Sequence, residues 1–494
     1  MTNAAAETLA ALRDAHRARS LDKAFTQPPT ADTGLTSYPV EIGAKKLFPV
    51  ITPLRNAIPR VPAYGGIQAS WRAITGVNVG GVSAGVSQGN RGGIIATTTQ
   101  DFVAAYRGLG LEDTVTFEAE YSAEGFDDVK ALASHGLLQA LMIAEEKMIL
   151  GGNTSQALGT TPTPTLVALG SGGALQNASY KVYCAALAFD GYANATLSGG
   201  VPTTITRNNA DGSVDIYGGG TARISAAATV TPAAGGAINA SVSPVPGAVA
   251  YAWFWGTGGA ANEKLGAITT LNSVAITDAA AGAQRADDPG LAQDNSINAL
   301  AFDGLIAQIA RTGSNAYLRA LPTGAPGAGT PLTGDGAGGI VEIDEALKAF
   351  WDDFRLSPTC IFVSAQEHKN ITRKILAGNA ASAQRFVFSV EQGMIAGGTM
   401  VRSYLNKYSM AGSIEIPIKL HPNMPPGALL FYSETLPYPL SNVANVVQMR
   451  TRRDYYQIDW PRRARRYEYG IYCDEVLQNY FPPAFGLLTN IADG

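Results

Sequence analysis

A single long run of apolar residues at helical spacing dominates the first half of this sequence. The positions are Val129, Leu132, Ala133, Gly136, Leu137, Ala140, Leu141, Ala144 and Met148. Two glycines follow at 151 and 152, where a helix commonly ends. The run predicts one helix of roughly 25 residues, about 35 Å long at 1.5 Å per residue.

The chain before this helix predicts a short amphipathic helix followed by an extended arm. Residues 1–25 mix leucines with charges, whereas residues 26–62 contain seven prolines, which rule out a long helix. The arm also carries apolar residues such as Tyr38 and Phe48. An isolated extended segment cannot bury enough of them to offset its ordering entropy. We therefore expect the arm to lie along another surface, such as a neighbouring subunit, and identical copies to complete one another.

A long hairpin is predicted between the arm and the long helix. Short β-like runs at 67–79 and 115–117 flank a tip of glycine, serine and other small residues at 80–89. Such a tip makes few contacts of its own, so we expect a hairpin with a mobile end.

Residues 173–285 change character, because charge nearly vanishes and helical spacing stops. Six short β-like runs recur between turn residues, which predicts a small β-sandwich. The runs are 180–186, 203–207, 214–217, 222–230, 248–255 and 273–277. The stretch Asn208-Asn209-Ala210-Asp211-Gly212 has the start of a calcium loop but no distal Glu, so we interpret it as a hairpin turn.

Helices and strands alternate again from residue 294. We predict a helix over about 296–311, a loop over 322–339, a second helix that carries Ile343 to Phe354, and a buried strand at 360–363. Ser364 and Glu367 have the spacing of a capping box, so a third helix should begin there. Beyond residue 385 the pattern is mostly strand, with runs at 414–420, 429–432, 443–460 and 467–472.

Composition leaves two explanations open for the surface. Charged residues make up 15% of the chain and hydrophobic residues 46%, whereas soluble domains usually carry about 25% charge. Either neighbouring copies cover much of the surface, or the composition is simply biased toward alanine and glycine. The net charge is −4, which excludes binding to nucleic acid through overall charge. Any DNA contact must come from a local patch.

The cysteines and the lack of apolar stretches predict a reduced, non-membrane protein. Cys184, Cys360 and Cys473 are far apart, without the spacing of a zinc site or a disulfide framework, so we expect buried thiols. The N-terminus lacks the apolar run of a signal peptide, and no stretch reaches the roughly 20 apolar residues of a membrane span. We expect the protein to be made and kept in a cytoplasm, with no membrane partner.

No catalytic, metal or cofactor site emerges from the sequence. None of His16, His135, His368 and His421 has another ligand at metal-binding spacing. The glycine-rich stretch 334–339 precedes its strand-like residues instead of following them, so it predicts a loop and not a nucleotide-binding turn. These observations argue against an enzyme, and we expect no cofactor.

An arginine cluster near the C-terminus is the one candidate functional patch. Its members are Arg450, Arg452, Arg453, Arg462, Arg463, Arg465 and Arg466. Two aspartates lie among these seven arginines, and Tyr455, Tyr456 and Trp460 are interleaved. The planar guanidinium group binds phosphates or carboxylates and stacks on rings, so the cluster is either a DNA-facing patch or a charged contact between subunits.

The order of these segments resembles the major capsid protein of tailed bacteriophages (Caudoviricetes), which has the Hong Kong 97-type fold. The sharpest local likeness is the end of the long helix, Glu145-Glu146-Lys147-Met148-Ile149-Leu150-Gly151-Gly152. The resemblance implies an α+β fold divided into six parts. They are an N-terminal arm at 1–62, an E-loop at 63–118, the spine helix and start of the P-domain at 119–172, an inserted immunoglobulin-like β-sandwich at 173–285, mainly A-domain at 286–412 and mainly returning P-domain strands at 413–494.

This resemblance implies a structural role in a virion. The chain would assemble into the hexamers and pentamers of an icosahedral shell around double-stranded DNA, with portal, scaffolding and decoration proteins as further partners. It would be made in the cytoplasm of a host bacterium. Residues 60–118 contain no lysine, whereas some relatives crosslink their shells through an E-loop lysine. We therefore expect non-covalent contacts. Because the sequence has no long charged N-terminal extension, we expect either a separate scaffolding protein or a short helix before Pro28 that does part of that work.

Two other functions remain open from the sequence. An encapsulin-like compartment has the same architecture and would contain a protein cargo in place of DNA. A surface adhesin would account for the immunoglobulin-like module but would need an export signal.

Overall fold

The computed structural model of this chain describes residues 49–63, 65–77, 84–124, 128–258, 262–376, 401–409 and 412–493. The predicted helix at 1–25, most of the predicted arm, part of the hairpin tip and residues 377–400 lie outside these ranges. Within them the chain has a mixed fold of helices and strands, as the sequence predicted.

The predicted long helix is confirmed as α3, Val129–Gly151. Asp128 caps its first turn, since the side chain accepts a hydrogen bond from the backbone of Ala131 at 3.1 Å. The helix buries Leu137, Leu141, Ile149 and Leu150, together with two glutamates discussed below. It is therefore attached to the rest of the fold mainly through its C-terminal half.

The long helix packs on a four-stranded sheet and on a short N-terminal helix. The sheet has the order β1 (Arg60–Pro62), β19 (Val447–Asp459), β20 (Arg466–Asn479) and β4 (Arg107–Thr116). Helix α1 (Pro53–Ala57) lies beside the end of α3. Within residues 49–62, the predicted arm thus contacts the body of its own chain, where Leu54 and Ile58 are buried.

The predicted hairpin is present as a two-stranded ribbon, but the predicted run at 115–117 is not its second strand. Strands β2 (Gln68–Val77) and β3 (Thr97–Ala105) pair antiparallel, from Gln68 opposite Ala105 to Val77 opposite Thr97. The next strand, β4, is longer than the predicted 115–117 run, and Phe117 begins a short helix, α2 (Phe117–Ser122).

The predicted β-rich segment forms two sheets that share one core. One sheet consists of β13 (Ser273–Ile276), β10 (Ala237–Ser241) and β5 (Thr165–Leu169). The other consists of β12 (Lys264–Thr269), β11 (Ala250–Thr257), β6 (Tyr180–Leu187) and β9 (Ala228–Val230). Strand β5 lies before residue 173, the predicted start of the module, but it pairs with β10 inside the module. The sequence did not reveal this pairing because the two strands are far apart along the chain. Whether the module is immunoglobulin-like stays a prediction.

The central strand β11 is apolar on both faces. Trp253 belongs to the core between the two sheets, whereas Phe254 packs on the opposite face with Leu265 and Leu291. Helix α4 (Phe189–Asn194) covers that second face in part. A strand buried on both sides reads as a continuous apolar run instead of an alternating one, which explains the sequence of β11.

The stretch from Asn208 to Gly212 forms the predicted hairpin turn. It joins β7 (Thr204–Asn208) to β8 (Val214–Gly218), and Gly212 has a φ of +88°. The Asp211 carboxylate accepts hydrogen bonds from the backbone and the hydroxyl of Ser213, at 2.9 and 2.6 Å. These bonds stabilise the turn, as Asx motifs do.

The remaining strands form one six-stranded mixed sheet. Its order is β14 (Tyr317–Ala320), β21 (Gly486–Thr489), β18 (Leu429–Tyr432), β15 (Cys360–Val363), β17 (Ile414–Leu420) and β16 (Ser403–Asn406). The predicted boundary after residue 412 lies between β16 and β17, which pair antiparallel. The last part of the chain therefore supplies strands to both large sheets.

Two of the three helices predicted after residue 294 are confirmed. They are α6 (Val341–Phe354) and α7 (Ala365–Leu376), and the Ser364 hydroxyl caps α7 by accepting from the backbone of Glu367 at 3.2 Å. The three cysteines are free and buried, as predicted.

The predicted helix at 296–311 is wrong over its first half, because only α5 (Leu305–Ala310) is helical. Ser296 instead accepts a bond from the Leu158 backbone through its hydroxyl, at 3.0 Å, and from the Asn153 side chain through its carbonyl, at 3.0 Å. Gly304 donates to the carbonyl oxygen of Gly152 at 2.8 Å. These tertiary bonds to the end of α3 replace the helical bonds that the apolar spacing suggested.

Candidate assembly surfaces and a buried ionic cluster

The β2–β3 hairpin is attached to the body at its base and exposes apolar side chains beyond it. At the base, the Trp71 ring stacks on Phe102 with centroids 5.7 Å apart and meets Tyr480 edge-on at 6.0 Å. Farther along, Ile74 is 68% exposed and Ile94 is 97% exposed. Ile67, Ile95 and Val103 are also exposed. We call these five residues the hairpin surface.

The seven arginines of the predicted cluster divide into two groups. Arg450, Arg452 and Arg453 lie within β19, and Arg462, Arg463, Arg465 and Arg466 lie between β19 and β20 or at the start of β20. Arg450 is half-buried and the other six are exposed. The register between the two strands shifts at this point, and such an irregularity interrupts the alternation expected for a regular strand.

Carboxylates of the same chain pair with three of these arginines. Arg452 lies 3.2 Å from Asp474 and Arg466 lies 2.6 Å from Glu468, both on β20. Arg465 reaches Glu118 of α2 at 2.8 Å. Exposed pairs of this kind contribute about 0–1 kcal/mol each. They do, however, turn a stretch that is strongly basic in sequence into a surface of mixed charge.

The other exposed arginines of the cluster contact rings or solvent. The guanidinium carbon of Arg453 lies 3.9 Å from the centre of the Tyr456 ring, and that of Arg462 lies 4.7 Å from the Tyr467 ring. Within the described residues, Arg453, Arg462 and Arg463 have no ion-pair partner. These three are the members best placed to contact another molecule.

The sequence did not predict a second group, a buried ionic cluster at the C-terminal end of α3. It brings together the N-terminal segment, α3, the loop after β17, and strands β19 and β20. The members are Arg55, Arg60, Glu145, Glu146, His421, Asp454, Tyr455 and Glu475. Glu145, Glu146 and Glu475 are fully buried, whereas Asp454 remains half exposed to solvent.

Arg60 of β1 connects three carboxylates. Its Nη2 donates to Glu475 at 2.6 Å and to Asp454 at 2.8 Å, and its Nη1 donates to Glu145. Burial alone would lower the pKa of Arg60, but the charges of Glu475 and Glu145 outweigh it and raise that pKa, so the group stays ionised.

Arg55 and Tyr455 complete the contacts of Glu145. The Arg55 Nε donates to Glu145 at 2.9 Å and to the Tyr455 hydroxyl at 3.0 Å, and the Tyr455 hydroxyl donates to Glu145. Burial and the charge of Glu145 raise the pKa of Tyr455 far above its usual range, so the phenol remains neutral.

Glu146 holds the backbone of α1. Its two oxygens accept from the backbone N–H groups of Leu54 at 2.9 Å and Arg55 at 2.7 Å, and His421 Nε2 lies 2.7 Å from the first of them. The Asn423 backbone donates to His421 Nδ1 at 3.2 Å. A ring nitrogen that accepts carries no proton, so this geometry assigns a neutral imidazole that donates from Nε2 to Glu146.

Solved structures that resemble this chain include two virus-like shells and a bacterial compartment. The capsid of Myoviridae phage XM1 is 10% identical, with a TM-score of 0.41, and the match covers 94% of this chain and all of that one. The capsid of a native GTA particle is 9% identical, with a TM-score of 0.41, over 95% and 100% of the two chains. The holo-SrpI encapsulin complex from Synechococcus elongatus PCC 7942 is 10% identical, with a TM-score of 0.34, over 91% and 92%. No protein-family profile and no curated protein matches the sequence. Scores of this size report a general likeness of shape and assign no function.

Neither a metal-binding group nor a membrane-spanning helix is found in the described ranges. There, no three histidine, cysteine or acidic side chains are grouped so that they would hold a metal ion. The helices in the same ranges are all too short or too polar to cross a membrane.

One sequence signal pointed to the buried ionic cluster. Glu145 and Glu146 are adjacent acids in the last turns of a helix, where the helix dipole disfavours negative charge. Acids in that position require cationic or N–H partners from elsewhere. Arg55, Arg60 and His421 supply such partners, but they are distant in sequence, so only the tertiary structure identifies them.

Proposed function

We propose that this chain is a shell-forming structural protein, the major capsid protein of a tailed bacteriophage. Copies assemble as hexamers and pentamers into an icosahedral shell that encloses double-stranded DNA. Portal, scaffolding and decoration proteins are the expected partners. The observation that supports this proposal most directly is the β2–β3 hairpin with its exposed hairpin surface.

An isolated two-stranded hairpin is at best marginally stable in water. Here both strands are nine to ten residues long, and only the base of the ribbon packs on the body. Five large aliphatic side chains on such a ribbon remain in contact with water in the single chain. Covering a side chain of this size is worth about 1.5–3 kcal/mol when it becomes fully buried. Contact with identical copies covers all of them and repeats the gain around a closed shell.

The arginine cluster is a second contact surface, either for a neighbouring subunit or for packaged DNA. Arg453, Arg462 and Arg463 are free to bind phosphates of packaged DNA or carboxylates of a neighbouring subunit. The mixed charge around them favours the neighbouring subunit, since a DNA-binding face is usually uniformly basic.

Electron microscopy of the expressed full chain tests the proposal. We expect regular closed particles, and a resolved map of them shows what contacts the hairpin surface and the arginines. Ile74→Asp, which places a charge on the hairpin surface, should leave the subunit folded but prevent closed particles, whereas Ile74→Val should assemble normally. A stable monomer with the hairpin packed on its own body refutes the proposal. Particles that hold a protein cargo in place of DNA would instead identify a compartment of the encapsulin kind.

A further inference from the structure

The buried ionic cluster contains more acid than base. Three carboxyl groups, Glu145, Glu146 and Glu475, are fully buried. Arg55 and Arg60 are the only arginines paired with them within the described residues. His421 is neutral in this geometry, and Asp454 adds a further acid at the solvent edge. An isolated buried charge is very costly, so such a cluster retains a proton on one of its acids.

Glu475 is the acid best suited to hold that proton. Its Oε2 accepts from Arg60, but its Oε1 is buried and has no hydrogen-bond partner among the described residues. Arg107, the register partner of Glu475 on β4, donates instead to the carbonyl oxygen of Ala301 at 3.1 Å. A buried anionic oxygen without a donor costs more than the same oxygen in a neutral carboxyl.

We propose that the buried ionic cluster is a proton-controlled latch: one proton on Glu475 holds residues 53–62 against the end of α3, and loss of that proton loosens them. Glu475 and Glu145 share Arg60, so a charge on Glu475 lies close to Glu145. Residues 53–62 contact the cluster through the Leu54 and Arg55 backbone and the Arg60 side chain.

We assign the proton to Glu475 because this carboxyl is fully buried beside another acid. Burial and the charge of Glu145 raise the pKa of Glu475 to about 8. Burial and the charge of Glu475 raise the pKa of the neighbouring Cys473 thiol well beyond its usual range, and Tyr455 is shifted the same way. A raised pKa in the folded state means that the stabilising effect is complete below the ordinary glutamate pKa and is lost as pH rises through about 8.

Hydrogen exchange of the full chain, read at the Leu54 and Arg55 amides, tests the latch. Protection is expressed relative to the intrinsic exchange rate, which removes the effect of pH on the chemistry itself. From about pH 5 to about pH 8 we expect it to fall by up to about tenfold per pH unit, the limit for one proton, and to level off above about pH 8. Glu475→Gln, a neutral isostere, should keep protection nearly constant over this range. Glu468→Gln, on the same strand but paired with Arg466 outside the cluster, should behave like the wild type.

The wild-type result is decisive even if Glu475→Gln does not fold. Protection that stays constant between about pH 5 and about pH 8 in the wild type overturns the latch. The same conclusion follows if a folded Glu475→Gln protein keeps the wild-type slope. Because the readout is local protection and not particle formation, the outcome is independent of whether the chain forms a shell.

Discussion

Two glycines of the long helix should respond in opposite directions to the same substitution. A Cβ added to Gly136 meets no atom within 4 Å, whereas a Cβ added to Gly151 lies 2.1 to 2.4 Å from three carbon atoms of Phe189. Phe189 is itself buried, so it has little room to move. Alanine is favoured over glycine in a helix by about 0.8–1.0 kcal/mol. Gly136→Ala should therefore stabilise the subunit by roughly that amount.

Gly151→Ala gains the same helical preference but must displace the Phe189 ring. Forcing an extra methyl into a packed core costs typically about 1–3 kcal/mol, so the net effect should be a destabilisation of up to about 2 kcal/mol. Urea denaturation of the unassembled subunit, followed by circular dichroism, measures both variants against the wild type. Stabilisation by both alanines would refute the close packing of the helix end on α4. A loss of stability in Gly136→Ala would show that the exposed face of the helix is covered.

Two further predictions concern the β-rich module and the six-stranded sheet. Trp253 is fully buried and donates from Nε1 to the Thr269 hydroxyl at 2.9 Å. Trp253→Ala should lower the free energy of unfolding, measured by urea denaturation, by about 3–5 kcal/mol. Trp460→Ala on the surface should lower it by under about 1 kcal/mol. Burial raises the pKa of Glu367 to about 7. Its stabilising effect is therefore complete below the ordinary glutamate pKa and is lost as pH rises through about 7, by roughly 3 kcal/mol in all. Denaturation at about pH 5 and about pH 8.5 should show this loss, and Glu367→Gln should reduce it; an unchanged pH dependence in the variant contradicts the assignment.

Local patterns were enough to predict the elements whose partners lie nearby in sequence. The spacing from Val129 to Met148 predicted α3, the repeated β-like runs predicted the β-rich module, and Ser364 with Glu367 predicted the start of α7. In each case the signal is a periodicity or a cap within a few residues, which acts before any distant contact forms. The first strand of the hairpin, β2, was predicted in the same way, but its partner β3 was not, because the sequence suggested the run at 115–117, which pairs with β20.

Predictions failed where distant contacts override local preference. Residues 296–304 have apolar residues at helical spacing, but Ser296 and Gly304 form hydrogen bonds to the segment that follows α3, and residues 296–304 are not helical. The domain boundaries at 173 and 412 stay predictions, although β5 pairs with β10 across the first and β16 pairs with β17 across the second. A sequence pattern shows that a strand exists but does not show which strand it joins.

The arginine cluster shows the same limit in its electrostatics. In the sequence it is seven arginines with two aspartates between them. In the fold, Asp474 and Glu468 of β20 and Glu118 of α2 pair with three of those arginines. Pairing across strands places charges side by side that are far apart along the chain, so the sign of a surface cannot be read from a linear stretch.

The sequence alone determined that this chain has a long helix, a hairpin and a β-rich segment, because each follows from local spacing and turn chemistry. The tertiary structure decided how Arg55, Arg60, Glu145, His421 and Glu475 come together, although up to several hundred residues separate them along the chain. Burial gives that cluster its character. Carboxyl groups that would be ordinary in water compete for two guanidinium groups and a proton once water is excluded.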